Sequence, residues 1–361
     1  MNILFISSLS HSLSTGPAWS VPARIAAQEK IDNVFWVNLS EAEHDHWKEV
    51  KAYHNIREFS KCSFSALPAP FNKPDVVVFE GFYGGLKEIA FALDCWRMRV
   101  PYIIVPRSSL TYQAMHNKSR WKKEIAHFMF YDRFVKKSLA VQYLTEQEYQ
   151  DSKYRFDGPH FILPNGFNKP QRVKECFSKD QIKAIFIGRI DIHQKGLDLL
   201  LGVLDELRDE LIKVNFSLVL HGPKLEDYYQ VEEMIKKMNL KQIVTMGGEI
   251  LGEAKAKALL ESDVFFLTSR FEGHPMGLLE AMSYGLPCVI TTGTNMQPEV
   301  DAYNAGWTSN TNPNGIKQAL LNMIANIGNL HDKSNQAKSL SERYEWRKLS
   351  MTLHEYIRNS I

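Results

Sequence analysis

Two carboxylates eight positions apart, Glu272 and Glu280, bracket the run EGHPMGLLE, and a cationic pair, Arg189 and Lys195, stands upstream in FIGRIDIHQKG. In both places an apolar, strand-like run gives way to a glycine-containing loop and then to a helical pattern. Arg presents a planar fork of donors and Lys a compact charge, so the two can converge on one small anion such as a diphosphate. The amides of His274, Met276, Gly277 and Leu278 fall at the start of the second helix. Free N–H groups and the positive end of the helix dipole there favour an anion or a hydroxyl. Gly273 and Gly277 let backbone approach a ligand closely. Taken singly, these features read equally as solvated cations, a loop acid and a helix-dipole glutamate. Their joint order along the chain makes them a constellation.

The elements that must position them follow a repeating pattern. Apolar runs at Ile3–Ser7, Asn33–Asn38, Asp75–Phe79, Tyr102–Val105 and Ala140–Tyr143, then at Lys183–Ile187, Phe216–Leu220, Ile243–Met246, Val264–Thr268 and Cys288–Thr291, alternate with amphipathic stretches. Such alternation predicts βα units and parallel sheets. The fold expected is α/β, with two Rossmann-like halves joined near LPNGFNKP, Leu163–Pro170, where Pro, Asn and Gly cluster. That divides the chain into 1–168 and 169–344. The last helical stretch, Ser339–Ser360, has no strand after it and must pack on something already built. Open α/β sheets bind ligands beyond the carboxyl ends of their strands, where the four charged residues fall. Neither G-x-G-x-x-G nor G-x-x-x-x-G-K-[ST] occurs, which argues against an ordinary NAD site or a P-loop.

Composition narrows the class further. The chain has 361 residues, 44% hydrophobic and 23% charged, which suits about two soluble globular domains and excludes a disordered chain, a collagen-like fibre and a coiled coil. A net charge of +2 gives no nucleic-acid signal. Cys62, Cys95, Cys176 and Cys288 are scattered without a C-x-x-C pair, as expected of thiols in a reducing compartment. No apolar run reaches membrane-span length, and MNILFISSLS reads as a first strand instead of a signal peptide. A cytoplasmic protein is expected.

The spacing E-x7-E of Glu272 and Glu280, the segment FIGRIDIHQKG, the turn LPNGF and the continuation AMSYGLPCVITTGTN stand in one order. In that order the chain resembles the retaining glycosyltransferases of family 4, most strongly from Lys183 to Gly306. The resemblance implies the GT-B fold: two facing Rossmann-like domains with parallel sheets, and a C-terminal helix, about 345–361, that crosses back to the N-terminal domain. It implies that Arg189 and Lys195 bind the diphosphate of a sugar nucleotide and stabilise the leaving group, with Glu272 beside the donor sugar. Glu280 would hydrogen-bond the ribose. The backbone of His274, Pro275, Met276, Gly277 and Leu278 would line the sugar and phosphate. Gly188 would open the strand end, Ile250 in MGGEI would wall the base, and Gly16 would contact donor phosphate and acceptor.

One departure stands out. Relatives commonly place a histidine where this chain has VPRSSL, so Arg107 replaces a group that can act as a base. Arg107 could still bind phosphate or sugar, and His116 is the candidate substitute. No D-x-D occurs, and with the Arg/Lys pair this implies transfer without a metal or other cofactor. The reaction implied is transfer of a hexosyl unit from a nucleotide-diphosphate sugar, UDP-linked by resemblance, to a glycan or lipid-linked glycan. Its setting would be bacterial capsule, exopolysaccharide or O-antigen synthesis. Same-face attack and double displacement both remain open as the retaining route. Alternatives are a sugar-nucleotide epimerase or phosphorylase on the same fold, and a catalytically silent sugar-nucleotide-binding partner subunit.

Two further segments carry charge. Asn117–Ser138 holds seven cations against two acids, interleaved with Trp121, Phe128, Met129, Phe130 and Phe134. It reads either as a helix packing its aromatics inward or as a basic amphipathic helix for an anionic membrane surface, which would make the protein peripheral at the inner face of the cell membrane. Glu41–Glu49, with His44, Asp45 and His46, reads as a solvated loop and not as a metal site.

Overall fold

The computed structural model describes residues 1–11, 16–116, 120–178 and 180–361. It divides into a first unit, Met1–Asn168 with Trp346–Ile361, and a second, Lys169–Glu345.

The first unit is built on β1 (Asn2–Ser7), β2 (Asn33–Asn38), β3 (Tyr53–Asn55), β4 (Val76–Glu80), β5 (Tyr102–Val105), β6 (Ala140–Tyr143) and β7 (His160–Ile162). All pair in parallel, in the order β3-β2-β1-β4-β5-β6-β7. Central parallel strands are covered on both faces, which is why NILFIS and VVVFE are near-continuous apolar runs. Alternate residues separate cleanly. Leu4, Ile6, Val77, Phe79 and Ile104 pack with Phe91 and Phe134 on one face. Ile3, Phe5, Val76, Val78 and Ile103 pack on the other with Val21 and Ile25 of the helix Gly16–Gln28. The C-terminal helix Trp346–Ser360 closes this second layer through Trp346, Leu349, Leu353 and Ile357, a single stripe at helical spacing.

The second unit comprises β8 (Ile182–Ile187), β9 (Phe216–His221), β10 (Val244–Gly248), β11 (Val264–Leu267), β12 (Cys288–Thr291) and β13 (Gly306–Ser309). These too are parallel, ordered β10-β9-β8-β11-β12-β13. Strand order therefore reverses between β1 and β4 in one sheet and between β8 and β11 in the other. A ligand crevice of an open sheet opens at such a reversal.

The structure departs from the sequence reading in three places. Strands β3, β7 and β13 lie at sheet edges and are too short to carry a periodic signal. The helical stretch expected over 339–360 is broken: Leu330–Ser341 ends, Glu345 is extended, and a new helix starts at Trp346, whose N–H donates to the Phe167 carbonyl at 3.0 Å. The helix expected over 117–138 is described from Arg120 onward, since 117–119 lie outside the described residues. It contains a π turn, His127–Tyr131, between Arg120–Ala126 and Asp132–Lys136.

Candidate functional site

The site grows from the loops after β8 and β11. After β8 the chain passes Gly188, whose N–H donates to the His221 carbonyl at 3.0 Å, and reaches Gly196 at φ +61. A Cβ on Gly196 would stand 2.2 Å from the Thr268 carbonyl oxygen, so only glycine lets this loop close against the end of β11. The two loops are laced together at several points. Thr268 Oγ1 donates to the Lys195 carbonyl at 3.2 Å and the Arg270 N–H to the Gln194 carbonyl at 2.8 Å. The Arg270 guanidinium grips both oxygens of Asp198 at 2.7 Å.

This lacing brings Lys195 and Glu272 together. Lys195 Nζ lies 2.5 Å from Glu272 Oε1, and both side chains are largely buried. The same oxygen accepts from Ser269 Oγ at 2.6 Å, and Asn295 Nδ2 donates to the Glu272 carbonyl at 2.6 Å. Arg189 is held differently. Its guanidinium bonds Gln194, lies 3.5 Å from Asp191, and remains 45% exposed. Of the two cations, one is fixed on a carboxylate and the other faces solvent beside it in sequence.

The helix Met276–Ser283 begins after Pro275 without a side-chain cap. One amide expected to be free is taken: the Leu278 N–H donates to the Pro275 carbonyl at 3.1 Å. Pro275 itself has no N–H, so it can line a site but not donate. Met276 and Gly277 are then the first-turn amides. A Cβ on Gly277 would stand 2.8 Å from the Ile187 carbonyl, so this glycine also seats the helix on the end of β8. His274 is buried, and its Nδ1 has no hydrogen-bond partner among the described residues. Burial pushes its imidazole down to about 4, so the ring is neutral at pH 7. One turn along, Glu280 Oε2 meets Lys255 Nζ at 2.8 Å. Ile250 is half-buried between Gly248 and Gly252, both at positive φ.

Lys255, Ser269 and Arg270 were not singled out by sequence. Lys255 sits in an ordinary helical pattern, Gly252–Glu261, with no motif to mark it. Arg270 adjoins the motif at Glu272, and that adjacency was the signal available.

The candidates in the first unit are arranged differently. A Cβ on Gly16 would meet nothing within 4 Å, so packing does not account for this glycine. The guanidinium of Arg107, expected to be available to phosphate or sugar, is instead occupied. Its Nε and Nη2 donate to Glu80 Oε2 at 3.0 and 2.7 Å, and Nη1 donates to Ser20 and Asn165. Glu80 also accepts from Arg24 at 2.6 Å, and Arg24 donates to Gln142. Burial pushes the Glu80 carboxyl up, but the two guanidiniums outweigh it and hold the group below its usual range. His116 Nδ1 bonds the Tyr112 carbonyl at 2.8 Å and its ring stacks on Tyr112, both local helix contacts. The segment expected as a solvated loop over Glu41–Glu49 instead holds a short helix, Asp45–Lys48, anchored by the fully buried Trp47, while His44 bonds the His11 carbonyl and His46 stacks on Trp19. Among the described residues no group of three or more His, Cys, Asp or Glu could hold a metal ion.

Residues 168–340 match the family model described as glycosyl transferases group 1. An uncharacterized glycosyltransferase of Methanocaldococcus jannaschii is 29% identical over 191 residues, 53% of this chain and 51% of that protein. An uncharacterized 41.2 kDa protein from the cps region of Klebsiella pneumoniae is 25% identical over 245 residues, 64% of this chain and 63% of the relative. The matches thus span less than two thirds of either relative. Among solved structures, Anabaena HepE in complex with UDP and glucose superposes with a TM-score of 0.76 at 14% identity, covering 99% of this chain and 100% of that one. Residues 168–340 are thus similar to group 1 glycosyl transferases, and the fold is that of two Rossmann-like parallel-sheet domains, as in GT-B proteins.

Proposed function

We propose that the protein is a retaining glycosyltransferase that moves a hexosyl unit from a nucleotide-diphosphate sugar, UDP-linked, to a glycan or lipid-linked glycan acceptor in surface-polysaccharide synthesis. The observation that carries this reading is the Lys195–Glu272 pair, fixed where the sheet order reverses, with the Arg189 guanidinium exposed on the same loop. As the bond from the anomeric carbon to the diphosphate breaks, negative charge grows on the departing phosphate oxygens. Two preorganised cations and the first-turn amides of Met276 and Gly277 lower the energy of that state. Glu272 keeps Lys195 in place and stands by the donor sugar, and Glu280 takes the ribose hydroxyls. His274 is neutral, and its Nδ1, which has no hydrogen-bond partner among the described residues, can exchange a hydrogen bond with a hydroxyl without adding charge. Because the two cations supply the charge stabilisation, transfer is proposed to need no metal or other cofactor.

UDP in HepE and the cps location of the Klebsiella relative support the choice of donor and pathway class. The protein is proposed to act in the cytoplasm, peripheral at the inner face of the cell membrane. Among the described residues no helix is long and apolar enough to cross a membrane. The test is melting of the purified chain with UDP, GDP, ADP and their sugars, each with and without EDTA. A ligand that binds only the folded state raises the melting temperature. A shift with UDP and UDP-sugars that EDTA leaves unchanged is expected. No shift with any nucleotide would contradict the reading.

A further inference from the structure

We infer that the outer face of residues 120–137 is a docking surface for an anionic lipid bilayer; the use made of it rests on the lipid-linked acceptor proposed above. Trp121, Ile125, Phe128 and Met129 are 65%, 55%, 87% and 74% exposed. Their spacing, i, i+4, i+7 and i+8, places them on one face. The inner side is equally well defined: His127, Tyr131, Phe134 and Val135 are buried. His127 is tethered by Tyr83 at 2.7 Å and Asp132 at 2.8 Å, and the wider turn from His127 to Tyr131 leaves both Phe128 and Met129 in solvent. Wide turns of this kind are uncommon and concentrate at functional places.

Charge selects the partner. Both acids of this segment are gripped from the side by one residue, Arg155, whose Nη1 meets Glu124 at 2.9 Å and whose Nε meets Asp132 at 3.2 Å. Arg120, Lys122, Arg133, Lys136 and Lys137 stay exposed around the apolar row. Arg133 and Lys137 lie over the Trp96 ring, at 5.3 and 4.6 Å, which ties them to the neighbouring helix Gly85–Met98. A twofold contact with a second copy would set these cations against their own kind. An anionic headgroup layer over acyl chains matches both the cations and the apolar row.

Sedimentation with phosphatidylcholine vesicles and with phosphatidylcholine–phosphatidylglycerol vesicles tests this. Binding to the anionic vesicles only, weakened by salt, is expected. Replacing Lys122 and Lys136 together with Gln should lower affinity about 25-fold, about fivefold for each cation. Phe128→Ser with Met129→Ser should lower it at least about tenfold, since both side chains leave the apolar layer. The fluorescence blue shift on vesicle binding should diminish in Trp121→Phe. Each variant should keep the wild-type melting temperature and its response to UDP. An intact UDP response with no vesicle binding would overturn the docking surface alone, as would a dimer dissolved by Phe128→Ser. Vesicle binding as described with no response to any nucleotide would uphold the surface and contradict the donor reading.

Discussion

Both sheets reverse their strand order at one place, and the two reversals have been put to opposite uses. Beside the β1/β4 reversal, Arg24 of the helix after β1 and Glu80 at the end of β4 close with Arg107 beyond β5 and Gln142 of β6 in a network whose side chains are almost wholly buried. At the ends of β8 and β11, Lys195 and Glu272 are fixed, but Arg189 is half exposed and a helix start lies uncapped beside them. The residue types are alike, so composition does not separate a structural knot from a site. What separates them is whether each charge has all its partners within the unit. In the first unit both guanidiniums are spent on buried partners, and in the second Arg189 stays half exposed near the paired Lys195.

The comparison breaks if the first network proves dispensable. Glu80→Gln would leave two buried guanidiniums without their counter-charge and should cost about 3–5 kcal/mol of stability, read as a lower melting temperature. An unchanged melting temperature would remove the distinction. In the second unit the corresponding change should strike turnover harder than stability. Lys195→Ala is expected to cut kcat with a UDP-sugar about 100-fold or more, and near-normal turnover would end its assigned role.

Acid and base should also separate the units. Burial pushes Glu88 in the first unit up to about 7 from 4.5, so the stability it contributes is fully present below about 4.5 and is lost as pH rises through 7. His274 in the second unit is pushed down to about 4 from 6.5, so its contribution is present above about 6.5 and is lost as pH falls through 4. Each effect is on the order of 3 kcal/mol. Hydrogen exchange followed between pH 4 and 8 should show opposite slopes in the two units, flattened by Glu88→Gln and by His274→Gln respectively. The smallest effect sharpens the proposed ribose end of the site. Lys255→Met should free the Glu280 carboxylate and weaken UDP binding about tenfold while narrowing its preference over 2′-deoxy-UDP. A variant that binds both with wild-type affinities would make the Lys255–Glu280 pair incidental.

The central strands and the strand-end loops that carry Arg189, Lys195 and Glu272 were legible because their signals are local. VVVFE and NILFIS announce buried strands, and FIGRIDIHQKG and EGHPMGLLE announce loops at strand ends. What escaped the reading is non-local. Arg107 is saturated by Glu80, Ser20 and Asn165, partners 27, 87 and 58 residues away, and no spacing rule links them. Lys255 meets Glu280 across 25 residues, from one helix to another, and no spacing rule links them. The Leu278 amide was expected to be free because its competitor, the Pro275 carbonyl, becomes one only once the turn is formed. His127 in the π turn likewise takes its partner Tyr83 from another loop, 44 residues away.

The most direct test of the donor site is hydrogen exchange of the full chain with and without UDP. Protection of 188–196 and 269–280, with little change at Glu80, Arg107 and their neighbours, is the predicted result. Protection confined to the first unit, or none under saturating UDP, would contradict the assignment of the donor site to the loops after β8 and β11.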